Sequence, residues 1–243
     1  MSARITAATT LRVLQQIRHD PRTIALLVAV PGLLLWLLQE MLGDLAFDRL
    51  GAPMVGLFPF ISMFLVTSIA MLRERTSGTL ERLMTMPLAK LDLLGGYGIA
   101  FALMAAVQAV VTSAVAFLLL GLDAAGPSAL IIVLAVVDAV LGSSLGLLAS
   151  AFAATEFQAV QFMPAFVLPQ ILLCGLLIPR SQMAAGLDAV ASVLPLTFAF
   201  DALHAVAVEG ADLNGIADEV AVLAGMIAAA IALAALTLRR RTA

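Results

Sequence analysis

Six long stretches of apolar, almost uncharged residues dominate this 243-residue sequence. A helix needs about 20 mostly apolar residues to cross a membrane, because the hydrocarbon core is about 30 Å thick. The chain is 63% hydrophobic and 12% charged, whereas soluble domains are roughly 45–50% apolar and about 25% charged. These proportions exclude a soluble globular enzyme, a disordered tail and a nucleic-acid-binding module. They predict an all-α membrane protein with six transmembrane helices.

The chain divides into a cytoplasmic segment, 1–22, and a single six-span transmembrane domain, 23–243. Asp20 and Pro21 precede the first span and are typical of the N-cap and the first position of a helix. The fourth span contains a single charge, Asp138. The spans are predicted at about residues 23–41, 52–72, 93–121, 127–153, 158–178 and 219–238.

A seventh apolar stretch, Ala189–Val208, is interrupted by Pro195 and carries Asp201 and His204. Its uncharged part, 189–200, is too short to span a bilayer and is nearer in length to a re-entrant or interfacial segment. We therefore expect a re-entrant element on the outer side, before the last span.

The basic residues are distributed unevenly along the chain. With six spans and a cytoplasmic N-terminus, every Lys and Arg except Arg49 and Arg180 falls on the cytoplasmic side. This distribution follows the positive-inside rule, whereas a seventh span would put Arg239–Arg241 outside. We expect a multi-pass protein of the plasma or inner cell membrane with both termini in the cytoplasm.

The segment before the first span has the pattern of an amphipathic helix. Its apolar face carries Leu11, Val13, Leu14 and Ile17, and its polar face carries Arg12, Gln15, Gln16 and His19. Such a helix is predicted to lie in the cytoplasmic interface, with its apolar face in lipid and its cations at the headgroups. The alternative is an ordinary cytoplasmic tail.

The connection after the second span holds a second short amphipathic pattern. Ser77 and Gly78 are expected to break the helix that leaves the membrane, and Pro87 ends the pattern. Between them, Leu80, Leu83 and Met84 have helical spacing. We predict a short helix over Thr79–Met86 whose apolar side fits a groove in a partner protein.

Two motifs stand out in the chain. The first is Arg73-Glu74-Arg75, Gly78-Thr79-Leu80-Glu81, Leu83 and Pro87-Leu88; the second is Leu173-Cys174-Gly175, Pro179 and Leu194-Pro195-Leu196-Thr197-Phe198. Together they resemble the signature of ABC type-2 exporter permeases. In that family Ser often stands where this chain has Cys174. The resemblance covers essentially the whole chain.

The resemblance implies partners and roles. Such permeases pair, as a homodimer or with a paralogue, and each pair sits on two ABC ATPase subunits, which bind ATP and Mg²⁺. The segment Gly78–Met86 would be the coupling helix, and residues 180–208 the outer re-entrant part. The residues that would couple to the ATPase are Arg75, Gly78, Thr79, Leu80, Glu81, Leu83 and Pro87. The candidate pathway or gate residues are Asp138, Gly175, Pro179, Pro195, Asp201 and His204.

The polar residues of the gate set have two interpretations each. Asp138 is either a substrate or proton-linked group, or a carboxyl satisfied by neighbouring helices near Ser143 and Ser144. Asp201 and His204 are spaced i, i+3 and are able to pair. They either line an outward exit or form an ion pair that holds the re-entrant element in place.

The sequence argues against an enzyme. Gly142-Ser143-Ser144-Leu145-Gly146 matches the G-x-S-x-G pattern, but a hydrolase needs it in a strand–turn–helix context, and here it lies inside a predicted span. Small residues at such positions favour close helix packing instead. The only lysine, Lys90, is not part of a Walker A loop. No cofactor is therefore expected in this chain, and ATP hydrolysis is expected on a separate subunit.

The predicted function is ATP-driven efflux through a permease. The spans are rich in Ala, Leu, Val, Phe and Met, and a pathway lined by them suits a drug, an antibiotic or a lipid. The alternatives are export of a lipid-linked glycan or polysaccharide and, as a different class, an intramembrane lipid-modifying enzyme.

Overall fold

A computed structural model describes residues 3–78 and 90–237, and these residues form helices and turns with no strand among them. The helices are α1 (Ala3–Arg18), α2 (Pro21–Leu42), α3 (Asp44–Thr76), α4 (Lys90–Ala114), α5 (Ser128–Ala149), α6 (Glu156–Leu173), α7 (Ala185–Ala191), α8 (Pro195–Glu209) and α9 (Ala217–Thr237). A π-helical turn, Val115–Leu119, continues α4. Single 3₁₀ turns lie at Arg180–Gln182 and Asn214–Ile216. The predicted all-α membrane fold class is confirmed.

Within the described residues, five helical segments are long and apolar enough to cross a membrane: α2, α3, α4 with its π-helical turn, α5 and α9. The helices α7 and α8 together are also apolar enough, but they meet at 87°. This bent pair lies where the re-entrant element is predicted.

The predicted fifth span is shorter than expected. The helix α6 ends at Leu173 rather than continuing to residue 178, and Gly175 then turns the chain at φ 102°. Glu156 and three glutamines also reduce the apolarity of α6, so it is absent from the set of candidate spans.

The ends of several helices follow from local chemistry. Asp20 caps α2 by accepting hydrogen bonds from the Thr23 backbone N–H and from its hydroxyl, at 3.2 and 2.6 Å. Helix α3 ends at Thr76, immediately before Ser77, and Gly78 follows at φ 71°. Both boundaries match the predictions. The start of α3 does not, because the helix begins at Asp44 rather than near residue 52.

The centre of the bundle is α3, which packs most extensively against α5. Its buried side chains include Phe60, Met63 and Phe64. Gly142 and Gly146 of α5 lie directly against the carbonyl oxygens of Phe60 and Phe64, where a Cβ would clash with the backbone. Small residues on α5 therefore let the two helices approach closely, which is the packing interpretation of the G-x-S-x-G match.

The N-terminal helix forms as predicted, but its environment differs from the prediction. Val13 is buried, and Leu14 and Ile17 pack against the core of the protein, while Leu11 is exposed. The Thr10 hydroxyl donates to the Gly96 carbonyl at the start of α4, at 3.1 Å. The apolar face of α1 is therefore covered largely by protein rather than by lipid.

The bundle has two ends. The Arg73 end comprises α1, the start of α2, the end of α3 and the starts of α4 and α6. The Arg180 end comprises the α2–α3, α4–α5 and α8–α9 connections and residues 175–192. At the Arg180 end, Ala125 N–H donates to the Ala207 carbonyl at 2.8 Å.

Candidate functional site

The predicted coupling segment follows directly from α3. Arg75, in the last turn of α3, is half-buried, and its Nε has no hydrogen-bond partner among the described residues. No atom of the described residues lies within 4 Å of the point where a Cβ of residue 78 would be, so available space does not require a glycine there. The left-handed backbone of Gly78 favours glycine instead. The remaining predicted residues lie outside the described part of the chain: Thr79, Leu80, Glu81, Leu83 and Pro87.

An ion pair joins the end of α3 to the start of α6. Arg73 donates from Nε to Glu156 Oε1 at 2.7 Å and from a terminal nitrogen to Oε2 at 3.0 Å. This bidentate hydrogen bonding from Arg73 holds the pKa of Glu156 below its ordinary value. The pair connects the helix that precedes the predicted coupling segment to the α5–α6 connection.

A second cluster ties α1 to the same end. Arg12 lies 3.5 Å from Glu74 and donates to the Tyr97 hydroxyl. Its guanidinium carbon is 5.5 Å from the centroid of the Tyr97 ring, a cation–π geometry. Arg12 was predicted to face the headgroups; the structure turns it towards α3 and α4. Arg12 therefore connects α1 to α3 and α4.

Between these two ion pairs lies a cleft of about 230 Å³. Its apolar walls come from α1, α3 and α4 and include Val13, Val66 and Phe101. Its polar wall carries Gln16, Asp20, Thr23, Arg73 and Glu74. The cleft therefore combines an apolar interior with a charged rim.

At the Arg180 end, the predicted gate residue Asp201 has a different partner from the one that its i, i+3 spacing allows. Arg180 donates to Asp188 at 2.9 Å and to Asp201 at 3.3 Å. Asp201 is thus paired with Arg180 rather than with His204, whose ring stacks on Phe200 at a centroid distance of 5.6 Å. The ion pair between Arg180 and Asp201 links α8 to the chain that follows α6.

The glycine and the two prolines of the gate set determine the backbone conformation of the same region. Gly175 has φ 102°, and a Cβ there would meet the Phe200 ring at 3.2 Å. Pro179 precedes the 3₁₀ turn at Arg180. Pro195 occupies the first turn of α8, where its missing N–H costs nothing. Together they produce the turns that carry the chain back towards the bundle.

Asp138 lies inside the bundle and is 1% exposed. Its carboxylate contacts Gly56 of α3, whose missing side chain makes room for it, and Leu203 of α8 also reaches this point. Ser143 and Ser144 instead donate to the Val140 carbonyl, and Asp138 Oδ1 has no hydrogen-bond partner among the described residues. Neither serine therefore pairs with this carboxyl, and the role of Asp138 stays a prediction.

Gln170 is a residue that the sequence-based search missed. It is 1% exposed on α6, and its Oε1 accepts from the Leu196 N–H at 3.3 Å while its Nε2 donates to the Phe166 carbonyl at 3.0 Å. The Leu196 N–H belongs to the first turn of α8 and has no intrahelical acceptor. The signal in the sequence that could have revealed Gln170 was an amide side chain within a long apolar stretch.

A second, almost wholly apolar pocket of about 230 Å³ lies between α3, α5 and α6. Aromatic rings dominate it, and Phe64 and Phe166 stack with their centroids 6.4 Å apart. Its lining residues are Phe64, Leu145, Leu148, Ala149, Phe152, Phe162 and Phe166.

Comparison with known proteins agrees with this architecture. The chain is 27% identical over 161 residues to a probable multidrug ABC transporter permease, YbhR, of Escherichia coli, and 26% identical over 167 residues to ABC transporter G family member 20 of Dictyostelium discoideum. These matches cover 66% and 69% of this chain, but only 44% and 23% of the two relatives. The chain thus spans less than half the length of either relative. The model of the ABC-2 type transporter family matches residues 6–208, and the protein is therefore a multi-pass membrane protein that belongs to this family.

Proposed function

We propose that this chain is the permease subunit of an ATP-driven exporter and that it moves an amphipathic or hydrophobic solute out of the cytoplasm. The observation that carries the proposal is the family match over residues 6–208. The E. coli relative, named as a probable multidrug permease, supports the substrate class.

The apolar pocket between α3, α5 and α6 supports the same solute chemistry. Four phenylalanines line it, and the lining residues that the structure describes include no charged side chain. Such a surface gains free energy by burying apolar area, at about 25 cal/mol per Å², and offers nothing to the hydroxyl groups of a sugar. A drug, antibiotic or lipid therefore fits it better than a glycan.

The proposed partners follow from the family. Two copies of the permease, or one copy and a paralogue, would enclose the pathway in the cell membrane, with both termini cytoplasmic. ABC ATPase subunits would bind ATP and Mg²⁺ and dock on the coupling segment. The chain itself would need no cofactor.

The route of coupling is proposed to begin at Gly78–Met86. Movement of this segment would act on the end of α3, and the pair between Arg73 and Glu156 would pass it to α6. At the other end, Gln170 and Arg180 connect α6 and the following turn to α8. Coupling of this kind needs two arrangements that both sites bias. Asp138, Gly175, Pro179, Pro195, Asp201 and His204 are proposed to shape the outer gate.

The function is tested by Glu81→Lys in proteoliposomes that contain the permease and its ATPase subunits. The variant is expected to insert normally, to export the tested amphipathic drug more slowly and to lose substrate stimulation of ATP hydrolysis, because it reverses a charge on the docking segment. The matched control is Glu209→Lys, which reverses an exposed charge at the Arg180 end. Stimulation that stays at the wild-type level in Glu81→Lys would remove Glu81 from coupling, and wild-type protein without ATP-dependent export would contradict the function.

A further inference from the structure

The cleft at the Arg73 end is built from four helices that meet only in the folded protein. Helix α1 contributes Val13, Gln16 and Ile17, the start of α2 contributes Asp20 and Thr23, and the remaining lining comes from α3 and α4. At about 230 Å³ it is smaller than a typical drug site of roughly 300–1,000 Å³. It therefore suits a headgroup and the first part of an apolar chain.

The charges that line the cleft favour a cation. Two of the three charged lining residues are carboxylates, Asp20 and Glu74. The third, Arg73, is held bidentately by Glu156, which does not line the cleft. With Arg12, which pairs with Glu74, the cluster holds three carboxylates and two guanidinium groups. Arg73 also interacts electrostatically with Asp20, so within this set of five residues the carboxylates outnumber the guanidinium groups by one.

Glu74 is the buried carboxylate of the cleft, and the Tyr97 hydroxyl that Arg12 reaches interacts with it. It is 6% exposed, and only its Oε1 faces Arg12, at 3.5 Å. Its Oε2 is buried without a hydrogen-bond partner among the described residues. A buried carboxylate oxygen in this state costs free energy unless a donor reaches it. An ammonium group in the cleft would be such a donor.

Asp20 adds a second carboxylate to the lining of the cleft, and each of its oxygens also accepts a hydrogen bond from Thr23. It is fully exposed, and hydrogen bonds from Thr23 hold its pKa below the ordinary value, so it is ionised at neutral pH. The apolar walls formed by Val66, Ile69 and Phe101 lie beyond it. The two carboxylates and these walls together match a molecule with a cationic head and an apolar tail.

We propose that the cleft between α1, α2, α3 and α4 is a binding site for the ammonium head of an amphipathic amine. The same chemistry is offered by a free alkylamine and by the headgroup of an aminolipid. The inference restricts the solute of the proposed function to amphipathic amines. It rests on the proposed function only where it takes the bound amine to be the exported solute. Binding is measured without ATP. A failure of export would therefore not contradict the binding site, and a failure of binding would not contradict export.

The test uses protection of an introduced thiol. Gln16→Cys is placed in a Cys174→Ala background, because Cys174 is the only native cysteine and is buried. Alkylation by a maleimide is measured on the full chain in phosphatidylcholine nanodiscs with dodecylamine, dodecanol or dodecanoate. Only the amine is expected to slow the reaction. Equal protection by the alcohol, or stronger protection by the carboxylate, would overturn the proposal.

Charge removal provides the second arm. Asp20→Asn keeps a good N-cap and Glu74→Gln keeps the shape of the side chain, and each is expected to raise the amine concentration for half-protection about tenfold. Asp44→Asn, an exposed change outside the cleft, is the matched control. An unchanged midpoint in Asp20→Asn contradicts the site, and this variant decides alone if Glu74→Gln fails to fold.

The source of the amine is distinguished by the lipid. In nanodiscs of phosphatidylethanolamine without added alkylamine, slower alkylation than in phosphatidylcholine assigns the site to the lipid headgroup. Protection by dodecylamine alone assigns it to a free solute. Protection by neither refutes the proposal.

Discussion

At the scale of single residues, the glycines of α5 illustrate how one motif has two meanings. Gly142 and Gly146 frame a pattern that hydrolases use, but here both lie inside a helix against the backbone of α3. The hydroxyls of Ser143 and Ser144 both donate to a carbonyl of their own helix. The glycines of this motif therefore serve helix packing, and the effect of replacing one of them on stability is measurable.

Gly146→Ala is expected to lower the free energy of unfolding by about 1–3 kcal/mol, because the new methyl group would clash with the Phe64 carbonyl and force α3 and α5 apart. The measurement is thermal unfolding of the purified protein in detergent. The control is Gly225→Ala on α9, where nothing lies within 4 Å of the added atom. That variant should gain up to about 1 kcal/mol from helix propensity. Equal melting of the two variants would argue against this contact.

At the scale of elements, the bent pair of α7 and α8 is held at the Arg180 end by the polar contacts of two residues, Arg180 and Gln170. Arg180 reaches Asp188 on α7 and Asp201 on α8, and Gln170 accepts from the first turn of α8. These contacts tie the bent pair to α6 or to the turn that follows it. The bend is therefore set by its neighbours as well as by Pro195.

Gln170→Leu is expected to loosen the start of α8, because the Leu196 N–H would lose its acceptor inside the protein, at a cost of about 1–3 kcal/mol. Hydrogen exchange of peptides covering residues 194–200 should speed up about tenfold. Gln161→Leu, on the same helix but exposed, is the control and should leave exchange there unchanged. If both variants exchange like the wild type, Gln170 does not hold α8.

At the scale of the whole molecule, the two ends of the bundle differ in charge and in construction. The Arg73 end carries α1 and the predicted coupling segment, whereas the Arg180 end carries the bent pair. If the bundle crosses the membrane as proposed, these two ends face opposite compartments. That arrangement is open to a direct labelling test.

Single thiols at Gln16→Cys and Asp212→Cys, each in the Cys174→Ala background, should react with a membrane-impermeant maleimide from opposite sides. Both positions are exposed. The positive-inside distribution predicts reaction at residue 16 only in inside-out vesicles and at residue 212 only in right-side-out vesicles. Labelling of both from one side would contradict the proposed topology.

Features that depend on neighbours in the chain were predictable from the sequence. Asp20 and Pro21 marked the start of α2, and Ser77 and Gly78 marked the end of α3, since caps and breaks act within one helical turn. The start of α3 was missed because its first turns carry charged residues, which an apolar pattern assigns to a connection. The end of α6 was missed because Cys174 and Gly175 continue the apolar run while the backbone already turns.

The sequence by itself determined the membrane class, most of the apolar helices and the position of an interrupted apolar segment before α9, because these depend on bilayer thickness and on local apolar length. Only the tertiary structure decided which charges meet. Arg12 reaches Glu74, Arg73 reaches Glu156 and Asp201 reaches Arg180, between segments whose distance is set by helix packing. The same packing brings α1 over α4 and creates the charged cleft, which no local pattern encodes.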